Sequence, residues 1–269
     1  MTSTVAQLLV ASGLPALEAR ALLAHRLQVS RERLVAHPES VVAGADAEAF
    51  VALVRRRATG EPLAYLIGTK EFYGRPFAVT PDVLVPRPET ELLVDLAFER
   101  MRALEQPRVL DLGTGSGCIA VTLALECPAA RVTATDASVG ALAVARRNAE
   151  GLGAAVTFRV GDWYDALPGD ATFDLIVANP PYVAPDDPHL DALHFEPLQA
   201  LTDRRDGMAC LEAIVQGAGA HLDAAGWLLV EHGYDQAAAV QALFRRVGLV
   251  PESHADGAGQ WRVTLGRRL

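Results

Sequence analysis

From Arg108 onward the chain alternates short apolar runs with stretches of helical periodicity, and this alternation limits the fold more than any other feature. "RVLDLG" reads as a strand and "SGCIAVTLALEC" as a helix. "RVTATD" is the next strand, "SVGALAVARRNAEGLG" the next helix, and "AVTFRVGD" and "FDLIVANPPY" the third and fourth strands. A long irregular loop follows, then a helix from about Gly207, the strand "GWLLVEHG", the helix "DQAAAVQALFRRVG", and two closing strands near 249–254 and 261–266. Strands that are apolar along their whole length must be covered on both faces, and strands separated by helices pair mostly in parallel. The expectation is an α/β fold with a Rossmann-like, mostly parallel sheet of seven strands.

The stretch before this sheet is different. "VAQLLVASG", "LEARALLAHRL", "SRERLVAH" and "DAEAFVALVRRRATG" each carry helical spacing, with Ser30 as a cap and Gly13 and Gly60 as stops, so residues 1–62 are expected to form a small helical bundle. In residues 63–87, "KEFYGRPFAV" sets aromatics on either side of Tyr73-Gly74-Arg75, the pattern of a hairpin. Pro86 and Pro88 then interrupt regular structure, and Thr90 or Glu89 is placed to cap a helix running to about Glu105. Residues 88–269 form the sheet domain. The three cysteines, Cys118, Cys127 and Cys210, have neither paired nor metal-like spacing, which fits reduced thiols in the cytoplasm and no metal site. A net charge of −9 argues against a chain whose main task is gripping nucleic acid, and no apolar run is long enough to span a bilayer.

Ligands of such sheets bind beyond the carboxyl ends of the strands. The first strand ends in Gly113-Thr114-Gly115-Ser116-Gly117, where the glycines let the backbone turn tightly and let a ligand approach closely. The pattern G-x-G-x-G is not the dinucleotide fingerprint G-x-G-x-x-G, so a diphosphate is not the first choice. Asp136, nineteen residues beyond Gly117 and at the tip of the second strand, can accept both hydroxyl hydrogens of a ribose. At the end of the third strand, Asp162 can accept from an adenine amino group while Trp163 supplies a flat apolar wall. These strand ends resemble those of the class I methyltransferases, and that resemblance implies S-adenosyl-L-methionine as cofactor and S-adenosyl-L-homocysteine as product.

The fourth strand ends in Asn179-Pro180-Pro181-Tyr182. This resembles the motif of methyltransferases that act on planar amino or amide nitrogens. Such a nitrogen is a poor nucleophile because its lone pair is delocalised. The side-chain oxygen of Asn179 and the main-chain oxygen of Pro180 can accept its two N–H bonds, the two prolines preset the direction of that carbonyl, and Tyr182 gives a π face for the planar group. Catalysis is then positioning and preorganised electrostatics, with no strong base required.

From about Gly60 to its end the chain resembles the release factor glutamine methyltransferases. Besides the glycine loop and NPPY, the likeness rests on "GEPLAYLIG", "EFYGRPFAV", "VPRPETELLV", "DPHL", "FEPLQAL", "LLVEHG" and "RVTLGR". The resemblance implies that the substrate is the glutamine of the Gly-Gly-Gln motif of class I peptide chain release factors, methylated at N5. It assigns Gly113 to Gly117, Asp136, Trp163 and Asn179 to the cofactor and Asn179 to Tyr182 to the substrate. A cytoplasmic monomer without direct contact to nucleic acid or membrane is expected, its helical bundle docking the protein substrate because a glutamine on a loop tip needs support from outside the pocket. The segment Asp191-Ala192-Leu193-His194 is shorter than its counterpart in relatives. Glutamine methylation of a ribosomal protein and adenine-N6 methylation of nucleic acid are the alternatives. His189 and His194 near the motif are expected to be solvated, Glu231-His232 to be structural or hydrogen-bonding, and Arg87 to meet the cofactor carboxylate, the substrate or a linker ion pair.

Overall fold

The computed structural model describes residues 3–268. The chain divides into two compact units, Met1–Thr69 and Lys70–Leu269.

The first unit is helical. Its elements are β1 (Ser3–Thr4), α1 (Val5–Ala11), α2 (Ala16–Leu27), α3 (Arg31–Ala36), β2 (Val41–Val42), α4 (Gly44–Ala58) and α5 (Leu63–Ile67). The four expected helices are all present. Thr4 opens α1 with a reciprocal capping box to Gln7, and Ser30 caps α3 by accepting from Arg33 N–H. Leu22, Leu23, Leu34, Phe50 and Leu66 fill the unit's own core. Arg57 on α4 pairs with Glu18 on α2 at 2.7 Å. Two features go beyond the sequence reading: the short antiparallel pair β1–β2, and α5, which starts after Pro62 and stops at Gly68 in the left-handed conformation.

The expected hairpin, β3 (Thr69–Phe72) and β4 (Arg75–Ala78), begins at the last residue of the first unit and otherwise belongs to the second. Both turn residues, Tyr73 and Gly74, have positive φ, as a two-residue hairpin turn demands. The sheet and its helices follow: α6 (Glu91–Met101), β5 (Arg108–Leu112), α7 (Cys118–Glu126), β6 (Arg131–Asp136), α8 (Val139–Leu152), β7 (Val156–Val160), β8 (Phe173–Ala178), α9 (His189–Ala192), α10 (Ala209–His221), β9 (Leu222–Glu231), α11 (Ala237–Arg246), β10 (Leu249–Ala255) and β11 (Trp261–Arg268). The seven strands lie in the order β10-β11-β9-β8-β5-β6-β7. The β5–β6, β6–β7, β5–β8 and β8–β9 pairs are parallel, and β11 runs antiparallel to both β9 and β10. Strand order therefore reverses between β5 and β8, the place where such sheets open a crevice.

Alternate residues of each central strand serve opposite faces. Val109, Leu175 and Val177 pack with α6 and α7, while Leu110, Leu112, Ile176 and Ala178 pack with α10 and α11. Helix α7 is buried from Cys118 to Ala124, which is why "CIAVTLAL" is apolar all round.

One expectation is corrected. Neither Thr90 nor Glu89 caps α6 with its side chain. Pro88–Thr90 forms a single 3-10 turn that begins with a residue lacking an N–H, and α6 follows it directly and ends at Met101, short of Glu105. The Thr90 side chain is used elsewhere.

Candidate active site

The glycine loop after β5 is held largely by hydrogen bonds from its backbone to the end of β6. Gly113 and Thr114 N–H both donate to Thr135 O at the tip of β6, each at 2.9 Å, and Gly117 N–H donates to Thr114 O at 2.8 Å. Gly113, Gly115 and Gly117 all have positive φ. A Cβ on Gly117 would stand 3.0 Å from Ala145 Cβ, so that glycine lets α7 and α8 approach. A Cβ on Gly115 would meet nothing within 4 Å, so this glycine leaves room for something other than protein. Asp111, on β5, is fully buried. One of its carboxylate oxygens accepts from Thr114 Oγ1 at 2.6 Å and Ala120 N–H at 3.2 Å, while the other has no hydrogen-bond partner. Burial pushes its carboxyl up to about 7. The side chains of Thr114 and Ser116 are buried within the loop, which leaves its backbone as the surface it presents.

The other strand ends converge on the same place. Asp136 accepts from Gly115 N–H and Ser138 N–H, both at 2.8 Å, and burial raises its pKa. It does not cap α8; Ser138 does, accepting from Ala141 N–H at 3.1 Å. Trp163 takes φ +41°, an uncommon conformation for a large side chain, and a Cβ on Gly113 would lie 3.2 Å from its ring. Asp82, Arg87, Gly113, Gly115, Asp136, Asp162, Trp163, Asn179 and Pro181 all line one cavity of about 370 Å³, within the usual range for small-molecule sites. Thr90, Gln199, Ala200 and Cys210 also belong to its wall. Arg87 is held at the wall by Glu196, at 2.6 Å, and the second oxygen of Glu196 accepts from Val85 N–H at 2.9 Å. The loop after β8 is thereby tied to the segment before α6, and Arg87 is ion-paired while it also lines the cavity.

Within the NPPY segment the four residues part company. Asn179 and Pro181 face the cavity, and Pro180 is buried. Tyr182 is not among the cavity-lining residues. Its hydroxyl is 3.3 Å from Glu231 Oε1, and its carbonyl accepts from Gln236 Nε2 at 3.1 Å. Burial raises the Tyr182 pKa, and the nearby Glu231 charge adds to this. Asn179 Nδ2 donates to Thr90 Oγ1 at 3.1 Å, which leaves the Asn179 oxygen free of that contact.

The N-terminal family model that matches residues 2–68 is "PrmC N-terminal domain", and residues 89–195 match "Methyltransferase small domain". A release factor glutamine methyltransferase of Bordetella pertussis is 53% identical over 262 residues, covering 96% of this chain and 97% of that protein. Its counterpart in Burkholderia pseudomallei is 50% identical, covering 98% and 96%. The chain belongs to the release factor glutamine methyltransferase family. A methyltransferase of Pyrococcus furiosus has the same fold, with a TM-score of 0.55 at 19% identity over 79% of this chain and 95% of that one. A 16S rRNA methyltransferase of T. thermophilus is alike to the same degree, with a TM-score of 0.56 at 19% identity over 75% of this chain and 50% of that one.

Several residues of this family member lay outside the sequence reading. Asn148, on α8, is buried; its Nδ2 donates to Ala78 O at 3.0 Å and Ser116 O at 2.8 Å, and its Oδ1 accepts from Ala78 N–H at 2.7 Å. It staples the hairpin to the glycine loop. Its signal was present: Ala141, Ala145 and Asn148 fall on one buried stripe of α8, and a polar residue there needs partners. Thr90 carried no such signal. His194 is exposed and bonds Asp191 O at 2.8 Å, while the side chain of His189 lies outside the described residues. His232 is buried between Gly233 O and Thr264 Oγ1, each at 2.8 Å, and burial lowers its pKa, so it serves the fold. Among the described residues no group of His, Cys, Asp and Glu could hold a metal ion, and no helix is long and apolar enough to cross a membrane.

Proposed function

We propose that this protein transfers a methyl group from S-adenosyl-L-methionine to the side-chain amide nitrogen of the glutamine in the Gly-Gly-Gln motif of class I peptide chain release factors. The observation that carries this reading is the position of Asn179, a cavity-wall residue whose amide nitrogen is already engaged and whose oxygen has no hydrogen-bond partner among the described residues.

The residues fit the cofactor. Asp136 keeps lone pairs beyond the two N–H bonds it accepts, as a ribose partner must. The open space over Gly115 suits a ligand lying against the loop. Asp162 and Trp163 line the same cavity, which supports their reading as the adenine partners. When bound, S-adenosyl-L-methionine supplies an electrophilic methyl carbon on a positively charged sulfur. The chain's part is to present the nitrogen. Asn179 Oδ1 and the Pro180 carbonyl accept its two N–H bonds, hold its lone pair in line with the methyl carbon, and are better satisfied as positive charge builds on it. Bound S-adenosyl-L-methionine would give up its methyl group to the nitrogen and keep the electron pair of the broken S–C bond on sulfur, and the surplus proton would leave the nitrogen along the Asn179 hydrogen bond to water. Tyr182, anchored through Glu231, buttresses the segment from behind.

The helical unit is assigned to docking the protein substrate, in the cytoplasm, since a glutamine on a loop tip needs support beyond the pocket. Protection of residues 3–69 from hydrogen exchange when release factor is added checks this. The main test uses labelled cofactor with release factor, with its Gln→Ala variant in Gly-Gly-Gln, with ribosomal protein and with DNA. Label in release factor that vanishes in the variant is expected; label in DNA or ribosomal protein alone refutes the reading. Asn179→Ala should abolish transfer while cofactor affinity stays within about tenfold, the worth of one hydrogen bond.

A further inference from the structure

The carboxamide of Asn179 can face the site in two ways. With its oxygen toward the substrate it accepts a hydrogen bond from the amide –NH2. Reversed, it opposes one –NH2 with another, and the contact becomes repulsive. The segment itself does not choose between them. The choice falls to the group beside Asn179, the hydroxyl of Thr90.

Thr90 is buried, with 2% of its surface exposed, and its oxygen lies 3.1 Å from Asn179 Nδ2. A hydroxyl has one proton to give. If that proton pointed at Asn179, the carboxamide would turn its oxygen inward and be lost to catalysis. Beyond Thr90 stands Glu231, the last residue of β9, 1% exposed, with one carboxylate oxygen beside the Tyr182 hydroxyl and the other without a hydrogen-bond partner. The Thr90 hydroxyl bears on this carboxylate and favours its charged form, as does that of Tyr182. The negative charge of an ionised carboxylate turns the Thr90 proton toward it and leaves the Thr90 oxygen as an acceptor toward Asn179 Nδ2.

We propose that Thr90 and Glu231 are positioning residues that set which edge of the Asn179 carboxamide faces the substrate. The inference rests on the functional reading of Asn179 given above. It explains why a carboxyl is buried behind the motif at all, since a buried charge without such a task is costly. Arg262 on β11 favours the Glu231 charge, whereas Glu89 in the 3-10 turn opposes it, and Cys118 at the start of α7 also lies within its field. Burial outweighs the favourable contacts and pushes Glu231 up to about 7. Protonated Glu231 no longer exerts that pull, which frees the Thr90 proton to turn the carboxamide around.

The test is steady-state methylation of release factor by wild type, Thr90→Val, Thr90→Ser and Glu231→Gln, each checked for an unchanged circular dichroism spectrum. Valine keeps the shape of threonine and removes only the hydroxyl. Thr90→Val is expected to lower kcat by about 10- to 100-fold, less than the ~10²–10³ of deleting a group that touches the reacting atoms. The KM for the cofactor should stay within about threefold, and Thr90→Ser should restore kcat to within about threefold. Wild-type kcat should fall as pH drops through about 7, with a shallower fall in Glu231→Gln; the difference between the profiles reads Glu231, because Asp111 is also pushed up to about 7. Wild-type kcat in Thr90→Val, failure of Thr90→Ser to restore it, or superimposable pH profiles would each overturn the inference. A wild-type protein that leaves release factor unlabelled overturns the functional reading and this inference with it, whereas activity that survives in Thr90→Val overturns this inference alone.

Discussion

Replacing Asn148 tests how the hairpin and the glycine loop are joined. In Asn148→Ala three backbone groups lose their partner: Ala78 N–H, Ala78 O and Ser116 O. A buried polar group left unpaired costs about 1–3 kcal/mol. Ser116 is buried, so its carbonyl bears the full penalty, while half-buried Ala78 can recover part of its loss from water. The expected destabilisation is about 3–5 kcal/mol, a large share of the 5–15 kcal/mol typical of a whole domain. Trp163, Trp227 and Trp261, the protein's three tryptophans, all lie in the unit that contains Asn148, so tryptophan fluorescence follows that unit's unfolding in urea. With a slope of about 2–3 kcal/mol/M the midpoint should fall by roughly 1–2.5 M. Asn148→Asp is the sharper variant. It keeps the acceptor for Ala78 N–H but turns an oxygen toward two carbonyls, so near neutral pH it should be at least as damaging as alanine. A midpoint within about 0.3 M of wild type in Asn148→Ala, or an Asn148→Asp protein as stable as wild type, would refute the staple.

Gly115→Ala should cost only about 1–2 kcal/mol of stability, from its positive φ, yet weaken cofactor binding at least about tenfold by placing a methyl group in the open cavity. Gly117→Ala should show the reverse emphasis, with about 2–4 kcal/mol lost as its Cβ presses on Ala145; urea midpoints and calorimetric titration separate the two. Asp111 has its folded pKa raised from 3.8 to about 7, so the folded state holds the extra proton and wild-type stability without cofactor should decline as pH rises from about 4 to about 7. Asp111→Asn should remove about 3–4 kcal/mol of that decline, and parallel stability profiles in the two proteins would show that Asp111 does not titrate in this window.

What could be read from the sequence follows the physics of each element. The central strands were legible because burial on both faces makes them continuous apolar runs, and the residues that end them, the glycines after Leu112, Asp136, Asp162 and Asn179, are wrong for a strand interior. The hairpin was legible because an aromatic-flanked Tyr73-Gly74 has few other uses. The β1–β2 pair was not, since two residues a side hold together by backbone bonds that leave no pattern in side chains. Nor was the place of β11 between β9 and β10, which depends on pairing and not on composition. Thr90 read as a helix cap because capping is a local property, while its contact with Asn179 joins residues 89 apart. The inward tie of Tyr182 was hidden for the same reason, as Glu231 is 49 residues away.

The glycine loop spends the N–H groups of Gly113, Thr114, Gly115 and Gly117 on protein oxygens, and three aspartates stand around the same cavity. Phosphate-bearing metabolites such as ATP or NAD therefore meet carboxylates where they would need donors, and the protein can work among them without being blocked. The same lining favours a cation over a neutral molecule of similar shape, so a ligand that enters with a positive charge and leaves without it is held less firmly on the way out.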